Sequence, residues 1–321
     1  MMPNEAATWR KVVRWVLLVF VLAGLGQYIV THLADFEVII RISPNLLVTI
    51  TLMQVLLLFV AAWRHRVTAE RLGLRIGFWA WLDLFVYSRF LNRFYPQAGN
   101  AYRATVLKMT FRFPLSRYVG AFALFHCLDT LITLLLLLLL LLLGESDLQV
   151  AGLNAAAVVG SLVAGSVVVL ALVSLFWRKT RSARKTSSRF FARLAEVADD
   201  VAKGIRRPRL LLKLSLSGLI VFAGGVYMNW LCFVELGSPV GSARLGVLHF
   251  VRRATLMISL TPGNVGITET CYGLLSGAMG DAVAHAIIVA AVMNITGLAA
   301  VALLWVLLVV FKGVRNRISL V

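Results

Sequence analysis

Six stretches of the chain are apolar over lengths that cross a bilayer, and this restricts the fold more than any other feature. They run from about Val12 to Val30, Pro44 to Ala62, Tyr118 to Leu143, Val150 to Trp177, Leu210 to Phe233 and Ala282 to Phe311. A spanning helix needs about 20 apolar residues, and in hydrocarbon a helix satisfies its own backbone groups. Composition agrees: the 321 residues are 60% hydrophobic, with a mean hydropathy of +0.88. The expectation is an all-α integral membrane protein with about six spanning helices. Val12 to Val30 is long enough to span and reads as an anchor rather than a signal h-region. The leucine run Leu134–Leu143 reads as lipid-facing filler.

Net charge is +18, from 32 Lys+Arg and 14 Asp+Glu. Most basic residues fall between the apolar stretches, so the excess marks orientation and attraction to anionic head groups rather than nucleic acid. Arg10, Lys11 and Arg14, the Arg64–Arg75 loop, the Arg178–Arg209 loop and Lys312, Arg315 and Arg317 then face the cytoplasm, with both termini. The acidic 35–37 and 145–147 loops face outward. The basic loop 178–209 is expected to hold an amphipathic helix, Arg189 to Ile205, on the membrane surface. Cys127, Cys232 and Cys271 show no paired spacing and no metal-ligand pattern, and no cofactor is implied.

Two segments interrupt this plan. One reads Tyr95-Pro96-Gln97-Ala98-Gly99-Asn100-Ala101-Tyr102-Arg103; the other reads Thr261-Pro262-Gly263-Asn264-Val265-Gly266-Ile267-Thr268-Glu269. Each has a Pro, a Gly three or four residues on, and a charged residue seven after the Pro. Such breaks survive in a membrane only where protein or a wet cavity surrounds them. Both are read as re-entrant broken hairpins, entering from opposite faces. Three spans and one hairpin per half make an inverted internal repeat, residues 1–149 and 150–321, the second half including loop 178–209. That plan places a binding site near the midplane between the breaks. Two unrelated helix kinks are the alternative.

These segments resemble the transmembrane domain family of lysylphosphatidylglycerol synthase/flippase proteins, the multiple peptide resistance factor group. The second motif stands as Pro262, Gly263, Gly266 and Glu269. In the first, Asn92, Pro96, Gly99 and Arg103 are similar, but Asn100 stands where the family usually has Glu. A downstream Glu-Arg-x-x-Asp element keeps only Asp129, with Phe125 and His126 in the Glu-Arg places. The resemblance implies movement of charged lipids between leaflets of a bacterial inner membrane. It does not imply synthase activity, because the soluble aminoacyl-transferase domain of two-domain members has no counterpart.

The candidate binding residues are Arg103, Arg252, Arg253, Glu269, Asp129, His249, Asn100 and Asn264. The structural breaks are Pro96, Gly99, Pro262, Gly263 and Gly266. An ionisable group at membrane depth points to function. Arg252 and Arg253 read as a phosphate clamp, or as ion-pair partners of Glu269 or Glu235, or as snorkelling side chains. Arg103 has the same readings, with Asp83 and Asp129 as partners. Arg89 and Arg93 are placed at the cytoplasmic rim. The half-helix beginning near Gly266 aims amides at the break, which favours an anion. His126 and His285 read as contacts between helices, and His249 as a proton-linked group. Gly24, Gly26, Gly160 and Gly165 read as close-packing points.

The expected function is transport of an anionic or phosphate-bearing lipid, with no catalytic residues. An enzyme or accessory factor acting on a lipid-linked precursor in cell-envelope polysaccharide assembly is the alternative, and a scaffold a third. The expected partners are membrane lipids, together with a second copy of the chain or an envelope-biosynthesis protein.

Overall fold

The computed structural model describes residues 19, 23–180, 207–258 and 261–318. After a short helix, Leu33–Phe36, and a 3-10 turn, Glu37–Arg41, the longer helices in chain order are α1 (Pro44–Arg71), α2 (Phe78–Phe94), α3 (Ala98–Phe111), α4 (Leu115–Gly144), α5 (Ala155–Thr180), α6 (Pro208–Glu235), α7 (Ser242–Ile258), α8 (Ile267–Ala278) and α9 (Val283–Ile318). Strands β1 (Gln149–Val150) and β2 (Leu153–Asn154) form a small antiparallel hairpin between α4 and α5. Among the described residues five helices, α1, α4, α5, α6 and α9, are long and apolar enough to cross a membrane. Most of the expected Val12–Val30 span and the whole expected Arg189–Ile205 helix lie outside the described residues.

The observed boundaries correct three expectations. α1 does not stop at Ala62 but continues to Arg71, because Arg64 is buried against a partner on α4 and keeps the helix in the bundle. The span expected from Val150 begins at Ala155, since Ala151 and Gly152 take positive φ angles of 52° and 78° and turn the chain between β1 and β2. The leucine run is not uniform filler. Leu134, Leu137 and Leu141 are buried, while Leu135, Leu139, Leu142 and Leu143 are exposed. Helical periodicity splits identical residues between protein and lipid.

α9 lies at the centre of the bundle. Of its apolar stretch 67% is buried, against 11% for α5. Small residues let neighbours come close: Ala286, Ala290 and Ala300 are fully buried. The larger apolar cluster joins α1, α4, α6, α7, α8 and α9 through residues such as Ile50, Leu137, Phe233, Leu248, Tyr272 and Met293. A second cluster, with Trp81, Phe85, Leu107 and Leu304, joins α1 to α3 and the far half of α9. The expected packing glycines take no part: around Gly24, Gly26, Gly160 and Gly165 an added Cβ meets nothing within 4 Å among the described residues.

α1 begins on Pro44, with the Ser43 hydroxyl accepting the Leu46 amide at 3.2 Å. The Ser43 amide donates to Glu235 at the end of α6, also at 3.2 Å. Glu235 is therefore occupied here rather than by Arg252 or Arg253. Close by in the chain, Arg244 of α7 ion-pairs with Glu145 at 2.9 Å and Asp281 at 2.7 Å, joining the end of α4 to the α8–α9 turn.

Candidate functional site

Both interrupted segments fold back on themselves. In the first, Tyr95–Gln97 separates α2 from α3, and Gln97 takes a left-handed φ of 67°. The return is antiparallel: the Gly99 amide donates to Asn92 Oδ1 at 2.7 Å, and Tyr87 and Tyr102 meet at 4.9 Å between ring centroids. Gly99 is required by this close approach, because a Cβ there would sit 1.7 Å from the Ser88 carbonyl oxygen. In the second, a short 3-10 turn, Pro262–Asn264, separates α7 from α8. Gly263, Asn264 and Gly266 have φ of 62°, 57° and 84°, a conformation that Gly and Asn adopt most readily. Asn264 Nδ2 donates to the Thr255 carbonyl at 2.6 Å, and the hydroxyls of Thr255 and Thr268 lie 3.2 Å apart.

The two breaks meet. Arg93, near the end of α2, donates to the Gly263 carbonyl at 3.4 Å. Between them lies a cavity of about 470 Å³ lined by α1, α2, α3, α4, α6, α7, α9 and both breaks. Its wall carries six arginines, Arg64, Arg89, Arg93, Arg103, Arg252 and Arg253, and one carboxylate, Asp129. The rest of the lining is apolar, with Leu57, Leu58, Ala61, Val221 and Met257 among it, or neutral polar, with Gln54, Asn92, Asn100 and Asn264, together with His65, His126 and His249.

Asp129 joins three helices. Arg64 of α1 lies 2.6 Å from its Oδ1, and Arg253 of α7 ion-pairs with its Oδ2. Arg64 and Asp129 are each 2% exposed. Two arginines on one buried carboxylate leave this group with net positive charge. Arg252 turns elsewhere and donates to the Met293 carbonyl of α9 at 3.0 Å. Gln54 of α1 donates to that carbonyl at 3.1 Å and to Thr296 Oγ1 at 2.7 Å. Gly297 makes this convergence possible. A Cβ there would lie 2.7 Å from Arg93 Nη2, 2.8 Å from Gln54 Oε1 and 3.7 Å from Arg252 Nη2. Arg103 donates to Asn100 Oδ1 at 2.9 Å, and its guanidinium carbon lies 5.3 Å from the Phe85 ring centroid; that of Arg89 lies 5.1 Å from the same centroid.

Of the residues expected to bind, Arg103, Asn100, Asp129, His249, Arg252, Arg253 and Asn264 line this cavity, as does Gly263. Glu269 does not. Its Oε2 accepts the Gly266 amide at 2.8 Å and its Oε1 accepts Asn294 Nδ2 at 2.7 Å. It closes a capping box at the start of α8. The carboxylate on this helix terminus is therefore the chain's own, which corrects the expectation of an anion site at Gly266 and of an ion pair with Arg252 or Arg253. Arg103 hydrogen-bonds Asn100, while Asp129 is engaged by Arg64 and Arg253. Arg89 and Arg93 line the cavity as well. His249 is buried edge-on to Phe222, with no hydrogen-bond partner at either ring nitrogen among the described residues. Gly225 makes room for it, since a Cβ there would fall 1.9 Å from the ring. His126 stands against Phe122 of its own helix and reaches the cavity wall.

Arg64, His65, Arg89, Arg93 and Gln54 were not expected here. The signal was spacing. Gln54, Leu57, Leu58, Ala61, Arg64 and His65 follow a three- and four-residue rhythm, as do Arg89, Asn92 and Arg93, so each set occupies one helix face.

A family model, Lysylphosphatidylglycerol synthase TM region, matches residues 12–305. The chain belongs to this family. No curated protein and no solved structure matches it. Membership of a membrane-domain family associated with lipid handling agrees with five bilayer-length helices, four of them lining a cavity whose charged residues are six arginines and one aspartate. The Pro262–Asn264 turn, Arg103 and Asp129 all lie within the matched residues, and Gly263, Arg103 and Asp129 face the same cavity.

Proposed function

We propose that this protein transports an anionic, phosphate-bearing lipid between leaflets, the head group passing through the cavity while the acyl chains stay against its apolar wall. One observation carries the reading: six arginines face a cavity with a single carboxylate. Charges held inside a membrane bundle are costly unless an opposite charge meets them, and a guanidinium fork matches phosphate oxygens. The lengths of the hairpin arms support re-entrance. At 1.5 Å per residue, the 14 residues of α3 and 12 of α8 reach roughly 20 Å, short of a hydrocarbon core of about 30 Å. In this reading the hairpins enter from opposite faces as inverted repeats and both termini face the cytoplasm of a bacterial cell. The protein is a transporter and not an enzyme.

The test uses proteoliposomes holding fluorescent phosphatidylglycerol, with leaflet exposure read by dithionite quenching. The wild type should accelerate exchange over protein-free vesicles, and Arg103→Gln and Arg252→Gln should each slow it by about tenfold, the effect of losing roughly 1.4 kcal/mol. Equal rates for all three proteins refute the proposal.

A further inference from the structure

The six cavity arginines sort into three pairs. Arg64 and Arg253 share Asp129. Arg89 and Arg103 share the Phe85 ring, their guanidinium carbons 5.1 and 5.3 Å from its centroid. Arg93 and Arg252 share the surface of Gly297, an ideal Cβ of which would lie 2.7 and 3.7 Å from their Nη2 atoms. The first pair shows what such a pair takes: one anion. The other two pairs ion-pair with no carboxylate among the described residues. Arg103 and Arg252 are only 3% and 8% exposed, and the Nε of each lacks a hydrogen-bond partner. Arg89 and Arg93 are half-buried, and the two cations of each pair, gathered about one ring or one glycine, repel each other, so each pair is a site for a charge from outside.

The pairs are also neighbours. Arg89 belongs to one and Arg93 to the other, and residues four apart on a helix lie about 5–6 Å apart at Cβ. Two anionic groups joined by a short bridge therefore reach both pairs at once. The geometry points to a head group with two linked phosphoryl groups, a lipid diphosphate, as the ligand of this cavity. Arg89 and Arg103 bind one phosphoryl group, and Arg93 and Arg252 bind the other. A lipid carrying an exposed ammonium group is disfavoured, since the one lining carboxylate, Asp129, is already held between Arg64 and Arg253. The inference rests on the lipid-transport reading above and narrows it to a substrate class.

The test compares farnesyl diphosphate, farnesyl phosphate and inorganic pyrophosphate by isothermal titration with the purified full chain in detergent. Farnesyl diphosphate should bind about tenfold more tightly than farnesyl phosphate, and more tightly than pyrophosphate. Arg103→Gln and Arg252→Gln should each lose about tenfold for the diphosphate. They should lose only about twofold for the monophosphate, because the other pair still binds it. Arg103→Lys and Arg252→Lys keep the charge without the fork and serve if the glutamine variants do not fold; each should weaken the diphosphate selectively. Equal affinity for the two farnesyl ligands overturns the diphosphate assignment and leaves anionic-lipid transport standing. Pyrophosphate binding as tightly as farnesyl diphosphate supports the paired sites and overturns the lipid source. Failure of all three to bind overturns the diphosphate assignment, and the phosphatidylglycerol exchange assay then decides the transport reading by itself.

Discussion

Removing the charge of Asp129 is the sharpest probe of the bundle. Asp129→Asn keeps the size of the side chain and leaves Arg64 and Arg253 facing a neutral amide. Both guanidinium groups then lose a charge-assisted contact, each worth about 1.5–3 kcal/mol. Arg64 suffers most, because it is 2% exposed and its remaining polar contact is a long one, 3.4 Å to the Leu214 carbonyl. Breaking a buried ion pair by removing one partner costs about 3–5 kcal/mol. Arg253, at 18% exposed, can recover some solvation, so the expected loss is about 3 kcal/mol. The assay is reversible unfolding of the purified protein in mixed micelles with increasing dodecyl sulfate. Neutral hydrogen bonds between membrane helices average only about 0.6 kcal/mol, which sets the dividing line. The double variant Asp129→Asn/Arg253→Gln should be less unstable than the sum of its parts, by 1 kcal/mol or more. A loss near 0.6 kcal/mol, or strict additivity, would refute the argument that Asp129 compensates two arginines.

Three further outcomes follow from local geometry. Gly99→Ala should destabilise by about 3 kcal/mol in the same assay, at the upper end of overpacking costs, because its Cβ would meet backbone rather than a movable side chain. Glu269→Gln should cost about 1–2 kcal/mol through a weakened α8 cap, yet change farnesyl phosphate affinity less than threefold; a tenfold loss of affinity with unchanged stability would show that Glu269 meets the ligand. Glu145→Gln should cost under about 1 kcal/mol, since the Arg244 and Glu145 side chains are 31% and 28% exposed and water screens such pairs.

The parts of the fold that were legible are those set by local chemistry. Apolar length located the five described spans, and Pro and Gly located both breaks. The α5 boundary differs through a local turn at Ala151 and Gly152; the α1 boundary has another cause. Whether a basic residue after an apolar run ends a span or is buried within the bundle depends on a partner the neighbouring sequence does not show. For Arg64 that partner is Asp129, which lies on α4. Arg89 and Arg93 pose the same question, and their shared face with Asn92 speaks for a common destination. Glu269 shows the converse. Its burial was legible from the apolar setting, but its role was read as binding, although a residue three positions after the Gly266 cap is where a capping carboxylate sits.

A lone buried arginine can be satisfied by a carbonyl, as Arg252 is in part by Met293. Two guanidinium groups turned toward one glycine or one ring cannot be satisfied by neutral acceptors alone, since acceptors do not remove their mutual repulsion. The chain supplies Asp129 for one such pair and leaves two pairs with no ion-paired carboxylate among the described residues, Glu269 acting on Arg93 and Arg252 only from a distance. Supplying two more carboxylates would have stabilised the fold further and closed the cavity to any anion. Leaving them out keeps the site open to a ligand that brings its own charge. It also makes ligand binding and bundle stability rise together, through the same four arginines.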